Sequence, residues 1–329
     1  MEGLGLGVTA SVDSPEKITT KKKIAVITPA YNESECIDEL ARQLAAVFDS
    51  EPNYDFEAII VENGSADDTM DKLLAIHAAD PRFKILQLAR NFRMDGGLTA
   101  GLNAVDADAV VLMTADLQDP PDFIPEMIRA WEQGYENVYG VVTERGGTGP
   151  IRKMNSQLFY WLAGRLTDDR ITRNASDFRL VDRKVYEAVR SMEERNRFVR
   201  GLFSWVGFKS IGLPMKRAPR FAGESKAYTF KVLDLAGKGI LAHSYVPLRL
   251  ISLTGFLVSA IAALSVLWFT WRFIFFGVPF AGFGSLICGM WFGFGIVTLL
   301  LGVIGEYLSL IYEEVKQRPN FVVTRKVGI

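Results

Sequence analysis

The 329-residue sequence contains little cysteine and little histidine. Its two cysteines, Cys36 and Cys288, lie far apart, one in a polar region and one in an apolar run, which excludes a disulfide framework and a cysteine-based metal site. His77 and His243 are the only histidines, so a metal site of several imidazoles is excluded. Excess positive charge is also missing, with 37 basic and 38 acidic residues, which argues against a nucleic-acid partner. An anionic ligand must therefore bind at a local basic cluster.

The N-terminal segment lacks the apolar stretch that a secretory signal requires. Acidic residues are spread through it at Glu2, Asp13 and Glu16, and it ends in the basic run Lys21–Lys23. We therefore predict a disordered tail over residues 1–23.

Charged residues are missing from two long runs near the C-terminus. Leu250–Trp271 is a run of 22 residues without a charged side chain, and Phe273–Gly305 is a run of 33. Both exceed the roughly 18–20 apolar residues that cross a bilayer, which excludes a wholly soluble protein. We predict a hairpin of two transmembrane helices, at 248–271 and 281–311.

Basic residues flank this hairpin mainly on one side. The linker between the two runs has one basic residue, Arg272, whereas the flanks contain Lys231, Lys238, Arg249, Lys316, Arg318, Arg325 and Lys326. The positive-inside rule therefore predicts that the large domain and the tail 312–329 are cytoplasmic. We expect an integral protein of the inner (cytoplasmic) membrane. Gly289 and Gly293 permit close helix approach, which leaves open both a contact within the hairpin and a homo-oligomer through the transmembrane helices.

Residues 24–225 alternate short β-branched runs with amphipathic stretches. Strands are predicted at Ile24–Pro29, Phe56–Glu62, Phe83–Leu88, Ala109–Thr114 and near Asn137–Val142. Helices are predicted at about Glu35–Phe48, Asp67–Ala79, Gly96–Ala104 and Pro121–Glu132. This alternation predicts an α/β fold with a mostly parallel sheet, helices on both faces, and ligands beyond the carboxyl ends of the strands.

The segment between this domain and the first apolar run is amphipathic. Lys231, Asp234 and Lys238 share one side of a helix, which predicts an interfacial helix region over 226–247. A helix packed on the soluble core is the alternative.

Polar residues follow the predicted strands. Turn and capping chemistry explains Gly64, Ser65 and the acids that follow them, but it does not explain Glu33 and Glu62, which are suited to a base N–H or ribose hydroxyls. A purely structural role is the alternative for both glutamates.

The fourth predicted strand leads into Asp116, Gln118 and Asp119. Two carboxylates just past a buried strand can hold a hard divalent ion that also binds a diphosphate. A plain helix cap is the alternative for Asp119, which precedes two prolines.

Together these strand ends resemble the family 2 glycosyltransferases of the GT-A fold. The motifs that carry the resemblance are Pro29-Ala30-Tyr31-Asn32-Glu33, Glu62-Asn63-Gly64-Ser65, Arg90-Asn91-Phe92 and Asp116-Leu117-Gln118-Asp119-Pro120-Pro121. The later motifs, followed by two apolar runs, resemble the polyprenyl-phosphate glycosyltransferases, the group of bactoprenol glucosyltransferases and dolichol-phosphate mannose synthases. These motifs are Ser176-Asp177-Phe178-Arg179-Leu180, Asn196-Arg197-Phe198-Val199-Arg200-Gly201 and Arg220-Phe221-Ala222-Gly223-Glu224-Ser225-Lys226. The resemblance spans about residues 24–312.

The resemblance implies a GT-A domain over residues 24–225 that transfers a sugar, with inversion, from a nucleotide sugar to a polyprenyl phosphate. UDP-glucose and undecaprenyl phosphate are the expected substrates, and GDP-mannose is the alternative donor. Asp177 and Asp116 are implied as catalytic, and Asp116 and Asp119 as ligands of Mg²⁺ or Mn²⁺. The implied nucleotide-sugar residues are Pro29, Tyr31, Glu33, Glu62, Asp116 and Gln118. The implied acceptor-phosphate residues are Arg200, Arg217, Arg220, Ser225 and Lys226.

The acceptor needs little activation, because a phosphate monoester with a second pKa of about 6 is mostly a dianion at neutral pH. We therefore expect Asp177 to control orientation or charge first and to act as a base second. A helix cap is the alternative for Asp177, and a solvated or headgroup-facing side chain is the alternative for each arginine.

Three positions depart from the family pattern: Thr114 replaces the first acid of the metal motif, Glu62-Asn63 replaces a shorter acidic pair, and Ala227 replaces an aromatic residue. A membrane-anchored nucleotide-sugar sensor or inactive scaffold is the alternative that Thr114 favours. A channel or transporter is disfavoured, because the spans contain no acid before Glu306.

Overall fold

The computed structural model describes residues 21–144, 175–217, 246–276 and 282–329. The described strands are β1 (Lys22–Ala30), β2 (Tyr54–Glu62), β3 (Phe83–Leu88), β4 (Ala109–Leu112), β5 (Asn137–Glu144), β6 (Ala175–Asp182), β7 (Ser210–Lys216) and β8 (Val323–Val327). The described α-helices are α1 (Ile37–Ser50), α2 (Thr69–Ala79), α3 (Arg93–Ala104), α4 (Ile124–Glu132), α5 (Arg183–Arg190), α6 (Val199–Trp205), α7 (Val246–Phe276) and α8 (Phe283–Lys316). A short 3₁₀ turn, Pro121–Phe123, leads into α4.

These strands form one sheet in the order β7-β5-β6-β4-β1-β2-β3-β8. The central strands β4, β1, β2 and β3 are parallel, as predicted. Both β6 and β8 are antiparallel to their neighbours, so the sheet as a whole is mixed. The α/β architecture expected from the GT-A resemblance is confirmed at this level.

Helices cover both faces of the sheet, as predicted. On one face, α1, α2 and α4 pack against side chains such as Ile24 and Ile60. On the other, α3, α5 and α6 pack against Ile27 and Val61. Because both faces of β1 are covered, Ile24–Ala30 is continuously buried, which explains its unbroken apolar run. A Cβ at Gly101 of α3 would overlap Ile27, so glycine permits this close approach.

Strand β6 was not predicted, and it carries Asp177. This residue lies near the start of a strand and not at a helix cap. Because β6 is antiparallel to β4, with Arg179 opposite Leu112, the first residues of β6 lie beside the end of β4. The antiparallel direction therefore brings Asp177 to the carboxyl edge of the parallel strands.

The C-terminal residues also belong to the sheet. Val323–Val327, placed by the sequence in the tail 312–329, forms β8 and pairs with β3. At the other end of the chain, β1 begins at Lys22, so two residues of the predicted tail are part of a strand. Lys23 is fixed there by its backbone N–H, which donates to Asp108, and by an ion pair with Glu57.

The two long helices α7 and α8 contact each other. Within the described residues, one helical segment, Phe292–Lys316, is long and apolar enough to cross a membrane, with a mean hydropathy of 2.0. It overlaps the predicted second span, and the two-span hairpin stays a prediction. The predicted interfacial region 226–247 lies almost wholly outside the described residues, as do Arg220, Ser225 and Lys226.

Candidate functional site

The loop after β4 holds two buried carboxylates joined by one hydroxyl. Thr114 Oγ1 lies 2.8 Å from Asp116 Oδ1 and 2.9 Å from Asp119 Oδ2. The backbone N–H of Gln118 also donates to Asp116 Oδ1, at 3.2 Å, across a left-handed residue, Leu117, with φ of 57°. Thr114 therefore organises the two carboxylates at the position where the family pattern has an acid.

Asp119 is fully buried and is bonded through both carboxylate oxygens. Its Oδ2 accepts the Thr114 backbone N–H at 3.2 Å, and its Oδ1 lies 3.4 Å from Ser176 Oγ and 3.6 Å from Arg217 Nη2. Burial raises the pKa of Asp119, although the nearby Arg217 charge opposes this shift. The helix-cap alternative is wrong, because no side chain caps the turn at Pro121–Phe123.

The chemistry of this loop fits a divalent cation held mainly by a substrate. Within the part of the chain that the structure describes, no three His, Cys, Asp or Glu side chains converge as a metal site. Mg²⁺ is usually held by one or two carboxylates together with substrate phosphates, which a loop of this kind can provide. Asp116 is the better placed ligand, since Asp119 is enclosed by protein groups.

Asp177 forms a two-pronged ion pair with Arg200 of α6. Arg200 Nε donates to Asp177 Oδ1 at 2.7 Å, and Arg200 Nη2 donates to Asp177 Oδ2. Burial by itself raises the pKa of Asp177, but the hydrogen bonds and charge of Arg200 outweigh it, so this pKa lies below its ordinary value. Asp177 is therefore a carboxylate at neutral pH and a weak base, which favours orientation as its main role.

Asp95 in the first turn of α3 is a site residue that sequence reasoning missed. Its Oδ1 accepts the backbone N–H of Val199, at 3.0 Å, directly before Arg200. Burial raises the pKa of Asp95, and the negative charge of Asp177 adds to this shift. An acid at a helix start is readily explained by the helix dipole, so the role of Asp95 in positioning α6 could not be predicted from the sequence.

Arg179 was not predicted to contribute to the site either. It is 3% exposed, its Nη2 donates to the Ser176 carbonyl at 3.2 Å, and its guanidinium lies 5.1 Å from the Phe203 ring centroid. Burial lowers its pKa to about 10, so Arg179 still carries a positive charge at neutral pH. That charge helps to keep Asp177 ionised.

The loops after β1 and β2 are hydrogen-bonded to each other. Asn32 donates its backbone N–H to Ser65 Oγ at 3.0 Å, and its side-chain Oδ1 accepts the Ala66 N–H at 2.8 Å. The backbone N–H of Glu33 donates to Thr69 Oγ1 at 3.1 Å. These bonds hold Tyr31 and Glu33 at the rim of the same sheet edge.

Two of the predicted donor-binding residues are largely internal. Glu62 is 1% exposed, and its Oε1 accepts the Ser65 N–H at 2.5 Å, so it shapes the turn. Pro29 is buried, and Gly97 of α3 approaches it so closely that a Cβ there would lie 2.8 Å from the Pro29 Cβ. Tyr31, 37% exposed, is the most accessible of the predicted set on this side.

The β1 and β4 loops are neighbours. The Met113 N–H donates to the Ile27 carbonyl at 3.1 Å, and Thr28 Oγ1 donates to the Met113 carbonyl at 3.0 Å. One edge of the sheet therefore brings together the rim residues Tyr31 and Glu33 and the carboxylate of Asp116.

Gly64 sets the spacing between the loops after β2 and β3. Its φ is +70°, and an added Cβ would lie 2.6 Å from the Arg90 Cα. We expect Gly64→Ala to lower the free energy of unfolding by about 2–4 kcal/mol, through left-handed strain and a backbone clash. Thermal unfolding of the full chain measures this loss.

Gly134→Ala is the matched control for this prediction. Gly134 has a similar φ of +86°, but a Cβ there would meet nothing within 4 Å. We expect a loss of about 1 kcal/mol from strain alone. Equal losses in the two variants would contradict the clash at Arg90.

Comparison with known proteins identifies the family. Residues 25–190 match "Glycosyl transferase family 2". An uncharacterized glycosyltransferase, YkcC, from Bacillus subtilis (strain 168) is 40% identical over 305 residues, covering 93% of this chain and 94% of YkcC. A prophage bactoprenol glucosyl transferase homolog from Escherichia coli (strain K12) is 34% identical over 303 residues, covering 92% and 99%.

Among solved structures, glucosyl-3-phosphoglycerate synthase from Mycobacterium tuberculosis aligns with a TM-score of 0.47 and 19% identity, covering 67% of this chain and 76% of that one. The family match extends over half of the chain, and the relatives are similar over nearly all of it. This chain belongs to glycosyl transferase family 2.

Proposed function

We propose that this protein transfers a sugar, most simply glucose from UDP-glucose, to the phosphate of a membrane polyprenyl phosphate such as undecaprenyl phosphate. One observation carries the proposal: the Asp116–Asp119 loop follows β4, and Asp177, which pairs with Arg200, lies near the start of the neighbouring antiparallel strand β6. Relatives that are named bactoprenol glucosyl transferases, and that are similar over nearly the whole chain, support the lipid acceptor.

The donor is proposed to bind over the ends of β1, β2 and β4. Tyr31, Glu33 and Gln118 are accessible there for the base, ribose or sugar, and Pro29 and Glu62 support the loops from inside. Asp116, with Mg²⁺ or Mn²⁺, is proposed to hold the diphosphate. The cation, when bound, neutralises negative charge that develops on the leaving diphosphate.

The acceptor phosphate is proposed to bind on the β6 side. Arg200 is oriented by Asp177, and Arg217 follows β7 and reaches Asp119. Arg220, Ser225 and Lys226 follow Arg217 in sequence and are proposed to complete the phosphate site. An arginine fork that is already oriented loses less freedom when it binds a phosphate.

The reaction is proposed as a direct displacement. An acceptor phosphate oxygen forms a bond to the anomeric carbon while the bond from that carbon to the diphosphate oxygen breaks, and the electron pair leaves on the diphosphate. Attack from the opposite side inverts the anomeric configuration. Because the acceptor is a dianion at neutral pH, Asp177 need not remove a proton.

The lipid tail requires the site to lie at the membrane surface, since each CH₂ removed from the bilayer costs about 0.8 kcal/mol. The hairpin at 248–271 and 281–311 is proposed to span the membrane, with the region 226–247 at its surface. Support comes from α8 and β8: the chain leaves the candidate span at Lys316 and rejoins the sheet at Val323. With this topology, the catalytic domain and the C-terminus are proposed to lie on one side of the membrane.

A donor screen tests the proposal. The purified full chain is incubated with undecaprenyl phosphate, Mg²⁺ or Mn²⁺, and radiolabelled UDP-glucose, UDP-galactose or GDP-mannose. Incorporation of glucose alone into the organic phase is expected. Selective incorporation of mannose would show that GDP-mannose, and not UDP-glucose, is the donor. Donor binding without incorporation would favour the scaffold alternative.

Arg200→Ala is expected to raise the KM for undecaprenyl phosphate about tenfold or more, with a smaller change in the KM for the nucleotide sugar. Removing a hydrogen bond between charged groups costs about 1.5–3 kcal/mol. Steady-state kinetics with each substrate varied in turn separates the two constants.

Arg42→Ala, which removes an exposed arginine paired only locally with Glu39 on α1, is the control and should leave both constants unchanged. A larger increase in the KM for the nucleotide sugar than for the lipid would assign Arg200 to the donor diphosphate.

A further inference from the structure

A cavity lies where the end of α8 meets the loop after β3. It is a partly open groove with a volume of about 470 Å³. Its charged lining side chains are four bases and one acid: Arg90, Arg195, Lys316, Arg318 and Glu313. The cavity is built by segments that are far apart in sequence and therefore depends on the folded domain.

Two of the four bases have aromatic or backbone partners among the described residues. Arg90 lies 4.1 Å from the Phe92 ring centroid and donates to the Asn91 carbonyl at 3.2 Å. Lys316 lies 4.9 Å from the Tyr312 ring centroid. Across the described ranges, none of the four bases forms an ion pair. The cavity lining therefore carries four positive charges against the single negative charge of Glu313.

The nearby acid Glu314 does not neutralise the bases. Its Oε1 accepts the backbone N–H groups of Arg195 and Asn196, at 2.7 and 3.3 Å. Asn320 Nδ2 donates to the Glu194 carbonyl at 3.0 Å, which ties the segment after α8 to the same loop. These bonds fix the cavity wall while leaving its charge in place.

The cavity also lies at the end of the candidate membrane span. Phe292–Lys316 ends at a cavity-lining lysine, and Arg318 follows two residues later. Basic residues at the end of a span lie at the depth of lipid headgroups, where they attract anionic lipids.

The cavity is separated across the sheet from the Asp116 loop. Strands β1 and β2 separate β3 from β4, so the cavity beside the β3 end lies about three strand spacings, or roughly 14 Å, from the Asp116 loop. A phosphate in the cavity would not reach a sugar held at Asp116.

We propose that this cavity binds the phosphate diester headgroup of an anionic bilayer lipid, which fixes the membrane helix against the catalytic domain. The inference rests on the proposed membrane placement of α8 but not on the transfer reaction. Its test therefore uses neither donor nor acceptor.

The test is a thermal-unfolding titration of the purified full chain in nonionic detergent. The probes are dihexanoyl phosphatidylglycerol, dihexanoyl phosphatidylcholine and inorganic phosphate. We expect a saturable rise in unfolding temperature with phosphatidylglycerol alone. The double variant Lys316→Gln with Arg318→Gln should bind it roughly 25-fold more weakly, at about fivefold for each lost charge.

The matched control removes the same charge from the same end of the chain. Arg325→Gln with Lys326→Gln changes exposed β8 residues that do not line the cavity, and it should keep the wild-type response. Arg90→Gln tests the opposite wall and should weaken binding about fivefold even if the double variant is poorly folded.

Three results would overturn the proposal: an equal response to phosphatidylcholine, an unchanged response in both cavity variants, or an equal loss in the β8 control. A saturating response to inorganic phosphate at the same concentration would also overturn the lipid assignment, in favour of a free-phosphate site.

Discussion

Asp116→Ala should lower the rate of sugar transfer by at least about 10²–10³-fold and should abolish the metal-dependent part of donor binding. The reason is that Asp116 is the carboxylate best placed to hold a cation on the donor diphosphate, beside Thr114 and Gln118. Loss of one group that stabilises charge in a transition state typically costs this much. A radiolabel assay measures transfer, and isothermal titration with and without Mn²⁺ measures donor binding.

Asp122→Ala is the matched control for Asp116→Ala. Asp122 is an acid six positions later in the same connection, but it is exposed and lies in the 3₁₀ turn. Substitutions at exposed positions rarely change the free energy of unfolding by more than about 0.5 kcal/mol, so the Asp122→Ala protein should stay folded. Its rate of transfer should therefore lie within about twofold of wild type. Undiminished metal-dependent turnover in folded Asp116→Ala protein would contradict the assignment.

Asp177→Asn should reduce kcat about 10²-fold while changing the dissociation constant of the nucleotide sugar little. The substitution keeps the shape of the side chain but removes the charge that holds the Arg200 fork through two hydrogen bonds. A small misplacement of a positioning group can cost about this much in rate. Single-turnover kinetics and donor titration separate the two effects.

The pH profile of the same variant tests whether Asp177 acts as a base. Because its pKa lies below the ordinary value near 3.8, Asp177 stays ionised across pH 6–8 and would be protonated only at strongly acidic pH. Wild type and Asp177→Asn should therefore have parallel profiles, both falling as the acceptor phosphate gains a proton below about pH 6. A limb near neutral pH that is present in wild type and lost in the variant would show that Asp177 is a base.

The central strands were predictable from sequence because burial on both faces of a strand requires a run of apolar residues. A strand such as β1 is buried on both faces, so Ile24–Ala30 reads as an apolar run, and the polar residues after it mark the ligand edge. The Asp116 loop was found for the same reason, since its acids follow a buried strand directly. In these cases local chemistry and tertiary position agree.

The β6 half of the site could not be derived in this way. Arg179 is 3% exposed within a strand, and a buried arginine breaks the apolar pattern that marks strands in sequence. The pairing of Asp177 with Arg200 joins β6 to α6 across 23 positions, and no spacing rule predicts it. Asp95 was missed because its partner is the backbone N–H of Val199, which carries no side-chain signal.

The edge strand β8 shows a related difficulty. Thr324, Arg325 and Lys326 are exposed, whereas Val323 and Val327 pack against the core. Two apolar residues among five are too few to predict a strand from the sequence. Pairing with β3 defines this strand, and that pairing is non-local. Glu62 was predicted to contact a ligand; the structure shows that its Oε1 accepts the Ser65 N–H in the turn, and the ligand contact stays a prediction.

The most direct test of the account is transfer by the purified full chain from radiolabelled UDP-glucose to undecaprenyl phosphate, followed by extraction and determination of the anomeric configuration. We expect one organic-soluble glucosyl phosphate lipid of inverted configuration. This product should require added undecaprenyl phosphate and should be missing with Asp116→Ala. A protein that binds UDP-glucose but releases no glucosyl lipid with any polyprenyl phosphate, or that forms a product with retained configuration, would contradict it.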